Sequence, residues 1–242
     1  MIVLFTDFGL EGPYTGQVAA VLQQAAPAVP VISLFADLPP GQVKPAAYLL
    51  AAYAKWFPAG TVLLCVVDPG VGSARHALIV EADGRCYVGP DNGLFEIVLR
   101  QAARAAIWRI TWRPGALSAS FHGRDLFAPV AARLAQGEPP AAIAVPAQAT
   151  PCPDWPDDLA EIVYIDRYGN ALTGLRGESV ATDARLRVGR HMVAHAEIFS
   201  AVPRGAPFWY VNSNGLVEIA VNQGRAGREL GLAIGSTVAI TG

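Results

Sequence analysis

The chain has 242 residues, a length that fits either one large domain or two small ones. Apolar residues make up 52% of it and charged residues 16%, which predicts a folded protein with a sizeable core. A net charge of -2, without any run of basic residues, argues against nucleic-acid binding.

The apolar start of the chain, residues 1–5, indicates a strand. It has neither the cationic flank nor the small-residue cleavage site of a signal peptide. No apolar stretch approaches the roughly 20 residues of a membrane span, so no membrane association is expected. Cys65, Cys86 and Cys152 are odd in number and far apart, which fits neither a disulfide framework nor zinc ligands. We therefore expect a cytoplasmic protein.

Further apolar runs at residues 29–35 and 61–67 are rich in β-branched side chains and do not alternate with polar ones, a pattern typical of strands covered on both faces. Segments 16–26 and 42–57 lie between these runs and are rich in alanine, as helices are. Strands alternating with helices indicate βαβ units. The first domain is therefore expected to be a layered α/β domain with a mostly parallel sheet.

Asp83 and Gly84 lie between two strand-like runs and predict a hairpin, which would add an antiparallel portion to the sheet. Apolar residues from Leu126 to Leu134 then mark one face of a helix that stops near Gly137.

Six prolines between Glu138 and Asp158 interrupt regular structure and indicate a connector. We place the domain boundary there, with an α/β domain at residues 1–150 and a smaller domain at 151–242. The second part contains short strand-like runs separated by turn residues and no convincing helix. It is expected to be an all-β, barrel-like domain.

Polar clusters follow the predicted strands of the first domain, where ligands of open α/β sheets bind. Asp7 follows the first strand and can hold ribose hydroxyls or cap a turn. Asp68 lies in Asp-Pro-Gly, an ordinary turn sequence unless Arg75 folds back onto the carboxylate. His122 precedes a Gly-Arg-Asp sequence in which Arg124 and Asp125 can pair, but the histidine itself has no evident structural task.

In the second domain, residues 166–170 and 212–215 each have the composition of a hairpin turn. His191 and His195 have the spacing of two metal ligands on a helix, but the glutamate of metalloprotease helices is missing, and we expect no metal site. Motifs for dinucleotides, nucleoside triphosphates and serine hydrolysis are also missing.

The sequence motifs, taken in order, are TDFG, VVDPGVGSAR, VGPDNG, SFHGRDLFAP, IDRYGN and NSNGLVEIAVNQG. This order resembles the S-adenosyl-L-methionine (SAM) hydroxide adenosyltransferases, which are related to fluorinases and chlorinases. The resemblance implies an N-terminal α/β domain and a smaller β-barrel-like domain. It also implies a homotrimer that binds SAM between the first domain of one subunit and the second domain of the next.

The resemblance further assigns roles to individual residues. Three of them, Asp68, Arg75 and His122, would present water or hydroxide to C5′ of the ribose. The implied substrate contacts are Asp7 for the ribose hydroxyls, Asp166 and Asn170 for the amino-acid end of SAM, and Tyr210, Ser213, Glu218 and Asn222 around adenine and methionine. Two departures are Gly12, where many members carry an acidic residue and a secondary ribose contact is in doubt, and Ala19, where a lysine is usual.

The implied reaction needs SAM as its substrate and no cofactor or metal. Methionine leaves the sulfonium as a neutral group, so the difficulty is to make water nucleophilic near neutral pH. Arg75 is always protonated and can only stabilise hydroxide, while either His122 or Asp68 accepts the proton. The alternatives are a SAM-dependent halogenase, which the Asp68 carboxylate disfavours by repelling a halide, and a SAM or adenosine sensor without catalysis.

Overall fold

Short apolar runs of the first part of the chain build a seven-stranded sheet in the order β2-β1-β3-β5-β4-β6-β7. A computed structural model describes residues 1–241, and their contacts divide them into two units, Met1–Cys152 and a second that begins at Pro153. The strands of the first unit are β1 (Ile2–Thr6), β2 (Val31–Phe35), β3 (Val62–Val66), β4 (Ala77–Ala82), β5 (Arg85–Pro90), β6 (Ala105–Ile110) and β7 (Ala144–Pro146). Its helices are α1 (Tyr14–Ala25), α2 (Val43–Tyr53), α3 (Glu96–Gln101) and α4 (Ala128–Ala135).

This sheet is mixed, and the expectation of a mostly parallel sheet is not met. β1 pairs in parallel with β2 and β3, and β3 pairs in parallel with β5. β4 is antiparallel to β5 and β6, and β6 is antiparallel to β7. The reversal begins at the predicted hairpin, where Asp83 and Gly84 both have positive φ (47° and 79°) and let the chain turn back within two residues.

The parallel strands β1 and β3 are buried on both faces. β2 lies at the edge of the sheet with Ile32 and Ser33 exposed, so the prediction that residues 29–35 form a strand covered on both faces is wrong. Side chains of Ile2 and Leu4 belong to the same core cluster as buried residues of α1 and α4, which pack against each other. Val3 and Phe5 point to the opposite face and are also fully buried. Double coverage explains why β1 and β3 have no polar alternation in the sequence, and it leaves their carboxyl ends as the place where polar groups can gather.

The second unit is a seven-stranded, barrel-like sheet in the order β14-β10-β11-β12-β13-β9-β8. An isolated antiparallel bridge between Glu161 of β8 and Thr237, next to β14, brings the two ends of the sheet together. Trp209 and Val217 lie in its core. The strands are β8 (Leu159–Ile165), β9 (Ala171–Arg176), β10 (Arg185–Val188), β11 (His191–His195), β12 (Pro207–Val211), β13 (Leu216–Val221) and β14 (Val238–Thr241).

One short helix, α5 (Ala226–Glu229), interrupts this otherwise all-β unit, where the sequence predicted no helix. The carboxylate of Glu229 accepts a hydrogen bond from the backbone N–H of Arg225 at 2.9 Å and closes the turn. Within residues 1–241, no helix has the length and apolar character needed to cross a membrane.

Candidate functional site

Two carboxylates lie at the same edge of the first sheet. Asp7 follows β1 and Asp68 follows β3, and these neighbouring parallel strands end side by side. The N–H of Gly41 donates a hydrogen bond to Oδ2 of Asp7 at 2.8 Å. Burial raises the pKa of Asp7, and the hydrogen bond from Gly41 opposes that rise. Asp7 is thus an incompletely solvated carboxylate that faces a cavity.

The loop after β3 folds back on itself, so that Arg75 forms an ion pair with Asp68 through Nη2 and Oδ1. The backbone turns at two points, with Val71 N–H donating to the Asp68 carbonyl at 3.2 Å and Ser73 N–H to the Gly70 carbonyl at 3.1 Å. A Cβ atom on Gly70 would lie only 2.6 Å from Nη2 of Arg75. The sequence predicted an ordinary turn here unless Arg75 contacts Asp68. The structure shows that contact.

His122 immediately precedes a π-helical turn, Gly123–Phe127, that continues into α4. A Cβ atom on Gly123 would lie 2.8 Å from the ring of Phe8, so glycine allows this turn to approach the end of β1. The ring of Phe121 meets that of Phe8 edge to face, with centroids 5.8 Å apart. These contacts bring His122 to the edge of the sheet that carries Asp7.

The two charged neighbours of His122 have structural partners. Arg124 donates two hydrogen bonds to Asp125, at 2.6 and 3.0 Å. Asp125 also accepts a hydrogen bond from the N–H of Ser118 at 2.8 Å. As the sequence suggested, Arg124 and Asp125 pair with each other. Of the three ionisable side chains in residues 122–125, His122 is the one that lines the cavities described below.

The electrostatics of Asp68 link these groups. Burial raises its pKa, while the charge of Arg75, the N–H of Gly70 and the charge of His122 lower it. Repulsion from Asp7 adds to the rise, and the net shift is upward. Asp68 is therefore a stronger base than a solvated aspartate, although Arg75 stabilises its ionised form.

Two cavities meet at these residues within the first unit. The smaller, about 200 Å³, is lined by Asp7, Asp68 and His122 together with the ring of Phe121. The larger, about 430 Å³, is lined by Asp68, His122 and Arg75. The sequence missed Gly41 and Phe8, which also line the smaller cavity. Gly41 contacts Asp7 through its backbone, and no side-chain motif could have indicated that.

The expected contacts of the second unit lie in three turns and a strand pair. Asp166 and Asn170 close the turn between β8 and β9, where the Asp166 carboxylate accepts the N–H of Asn170 at 2.8 Å. The predicted turn is present at this point. Of the other residues singled out, Ser213 is exposed in the turn between β12 and β13, and Asn222 donates from Nδ2 to the Val202 carbonyl at 2.7 Å.

Glu218 is buried on β13, where it accepts hydrogen bonds from the Tyr210 hydroxyl and from Nδ2 of Asn212, the latter at 2.8 Å. The ring of Tyr210 also stacks on Phe208 and meets Phe199 at 5.7 Å. Asn212 was not predicted as a site residue, because the turn composition of residues 212–215 was enough to explain it. Glu218 therefore has a structural role, because it holds Tyr210 and Asn212 in place. The resemblance implies a substrate contact in addition to this role.

The two histidines of β11 have no metal-site geometry. The ring of His195 packs against that of Trp209, with centroids 4.5 Å apart. Throughout residues 1–241, no three His, Cys, Asp or Glu side chains lie together as metal ligands would.

Comparison with known families gives two matches that together span most of the chain. The model of the SAM hydroxide adenosyltransferase N-terminal domain matches residues 2–144. The model of the SAM hydroxide adenosyltransferase C-terminal domain matches residues 160–239.

Individual proteins agree with these matches. The chain is 42% identical to an (R)-S-adenosyl-L-methionine hydrolase of Thermus thermophilus, over 98% of each chain. It is 38% identical to a protein of the same name from Salinispora arenicola, over 98% of this chain and 95% of the relative. A fluorinase of Actinopolyspora mzabensis is only 22% identical. An uncharacterised conserved protein of Thermotoga maritima has the same fold, with a TM-score of 0.91, 32% identity and full coverage of both chains.

Proposed function

The chain belongs to the SAM hydroxide adenosyltransferase family, and on that premise we propose that it hydrolyses SAM to adenosine and L-methionine. The single observation that carries the mechanism is the convergence of Asp68, Arg75 and His122 on one cavity, beside a second cavity that contains Asp7. SAM is the substrate, and the reaction draws on no cofactor.

The reaction is a displacement at C5′ of the ribose. The oxygen of water forms a bond to C5′ while the bond from C5′ to sulfur breaks, and its electron pair stays on the sulfur of methionine. Because this leaving group is neutral, the enzyme needs no general acid and must instead remove a proton from water, whose pKa is about 15.7. The proton passes to a base and then to solvent.

Arg75 stabilises the developing hydroxide by charge and hydrogen bonding. We assign the proton to His122, because an imidazole is the usual general base near neutral pH, whereas Asp68 forms an ion pair with Arg75. Asp68 then orients Arg75 and, through its negative charge, favours the protonated imidazole that forms. The same negative charge repels halide ions, which separates this chain from the halogenating relatives of its family.

The substrate is held at both ends so that attack occurs in line with the bond to sulfur. Asp7 accepts hydrogen bonds from the ribose hydroxyls. We propose a homotrimer in which the second unit of a neighbouring subunit completes the pocket. There Asp166 and Asn170 bind the amino-acid end, and Tyr210, Ser213, Glu218 and Asn222 surround adenine and methionine, with Glu218 acting through Tyr210.

The sulfonium sulfur of SAM carries three different groups and is a stereocentre. The names of the two relatives specify the R configuration, and we propose the same preference for this chain. We also propose a cytoplasmic enzyme, because Cys65, Cys86 and Cys152 are all free thiols, as is typical of a reducing compartment.

The deciding experiment is a product assay with the R and S epimers of SAM, in buffer without halide. We expect adenosine and methionine, formed faster from the R epimer. A halogenated adenosine that forms only after halide is added would identify a halogenase, and SAM binding without turnover would identify a sensor. Either result would contradict the proposed hydrolysis.

Variants in the same assay test the residue roles. We expect His122→Ala and Arg75→Ala to lower kcat at least about 100-fold with little change in KM, since both act mainly on the attacking water. Asp7→Ala should instead raise KM. His191→Ala, in the second unit, is the matched histidine control and should retain the wild-type rate. A rise in KM with unchanged kcat for His122→Ala would overturn the assignment of the base.

A further inference from the structure

The two cavities beside Asp68 differ in which groups they expose. Asp68 and His122 line both of them. Arg75 lines only the larger cavity, whereas Asp7 lines only the smaller. Arg75, which stabilises hydroxide, and Asp7, which holds ribose, therefore face different cavities. Asp68 and His122 form the boundary between the two cavities.

The larger cavity has the chemistry of a water compartment. Beyond Arg75 and His122, its lining includes the polar side chains of Ser73, His76 and Arg113. An ordered water needs two to four polar partners, and each occupies about 30 Å³. A volume of about 430 Å³ thus holds on the order of ten waters. Leu117 lines the cavity and is 40% exposed, which places it at the rim.

We propose that the larger cavity is a solvent-binding site that supplies the attacking water, while the substrate's ribose occupies the smaller cavity. This inference rests on the proposed hydrolysis. In-line displacement requires the nucleophile to approach C5′ from the side opposite the sulfur, so substrate seated against Asp7 closes the smaller cavity to incoming water. Water in the larger cavity reaches the same point between Asp68, Arg75 and His122 without passing the substrate.

The test is to fill the rim with a bulky side chain. Leu117→Trp narrows the larger cavity, and Ala116→Trp adds the same indole one residue away, at an exposed position that does not line the cavity. Relative to Ala116→Trp, we expect Leu117→Trp to lower kcat at least about tenfold, because delivery of water then limits turnover. KM for SAM and the Kd of adenosine, measured by calorimetry, should be equal in the two variants.

A second variant at the rim, His76→Trp, reaches the cavity from a different segment and should lower kcat in the same way if Leu117→Trp does not fold. Leu117→Ala leaves the entrance open and should have a kcat at least about tenfold above that of Leu117→Trp. Equal kcat values for the two Leu117 variants, or a loss of adenosine affinity in Leu117→Trp, would overturn the proposal. If the wild-type protein releases no adenosine from SAM, it is the proposed hydrolysis that fails, which is a distinguishable result.

Discussion

Ionisation of Asp7 and of Asp68 in the folded protein costs folding stability. Burial raises the pKa of both carboxyls, and the hydrogen bond from Gly41 to Asp7 and the ion pair from Arg75 to Asp68 offset that effect only in part. Carboxylates that are stabilised incompletely by their own protein remain available to ligands. This is the usual trade-off between stability and function at a binding site.

The pH dependence of stability tests this trade-off at Asp7. Below the unfolded pKa of about 3.9 the carboxyl is protonated in both states, and Asp7→Asn should match the wild type. As pH rises through the higher folded pKa, the wild type loses the stability of the neutral carboxyl, whereas the variant does not. The Asn side chain retains an oxygen that accepts the N–H of Gly41. We therefore expect a higher Tm for Asp7→Asn at pH 7.

Thermal melts of both proteins between pH 4 and pH 7 measure this difference, which should shrink as pH falls. Asp154→Asn, at an exposed position beyond the first unit, is the matched control and should leave Tm unchanged at each pH. An Asp7→Asn variant that melts below the wild type at pH 7 would show that ionised Asp7 stabilises the fold.

At the scale of elements, the sequence predicted the strands and helices that depend on a local pattern of residues. The strands β1, β2 and β3 and the helices α1 and α2 follow from runs of apolar and alanine residues. The balance of parallel and antiparallel pairs was not predictable, because β4 joins the sheet through pairing with both β5 and β6, and β6 lies more than 20 residues along the chain. The turns after β1 and β3 were recognised as candidate sites.

What the sequence left open in those turns was side-chain contact. Whether Arg75 contacts Asp68 depends on the path of the whole loop, and the structure shows that Gly70 permits it. The N–H of Gly41 reaches Asp7 from a segment 34 residues away. Contacts of this kind depend on tertiary packing, and no motif encodes them.

The loop between β3 and β4 therefore makes a specific prediction for Gly70→Ala. Gly70 does not have a positive φ, so its backbone tolerates alanine, but the new Cβ would lie within 3.0 Å of three guanidinium atoms of Arg75. Arg75 must then move away from Asp68. We expect kcat to fall at least about tenfold with KM nearly unchanged, because Arg75, the proposed stabiliser of hydroxide, is misplaced while Asp7, the proposed ribose contact, is intact.

A double-mutant cycle tests whether Gly70→Ala lowers kcat by displacing Arg75. Once Arg75 is replaced by alanine, Gly70→Ala should cause no further loss, since the three atoms nearest to the new Cβ are gone. Gly115→Ala, whose Cβ meets nothing within 4 Å, is the control for a loop glycine and should be fully active. Additive losses from Gly70→Ala and Arg75→Ala would show that Gly70 acts independently of the guanidinium.

At the scale of the whole molecule, the proposed catalytic groups and the other proposed substrate contacts belong to different units. Asp7, Asp68, Arg75 and His122 lie in the first unit, and the cluster around Tyr210 lies in the second. Each unit has its own core, which allows the two to be inactivated separately. In a trimer with sites between subunits, the two defects complement one another in a mixed assembly, because one subunit supplies an intact first unit and its neighbour an intact second unit.

Co-expression of two inactive, differently tagged chains tests this arrangement. One chain carries His122→Ala and the other carries Asp166→Ala with Tyr210→Ala, and passage over both tags isolates mixed trimers. Every mixed trimer then has one intact site among its three, so we expect about one third of the wild-type activity per trimer. Sites built within single subunits would leave the mixed trimers as inactive as their parents. Light scattering on the purified sample checks that the particles are trimers, and co-purified wild-type chains with both tags set the reference rate.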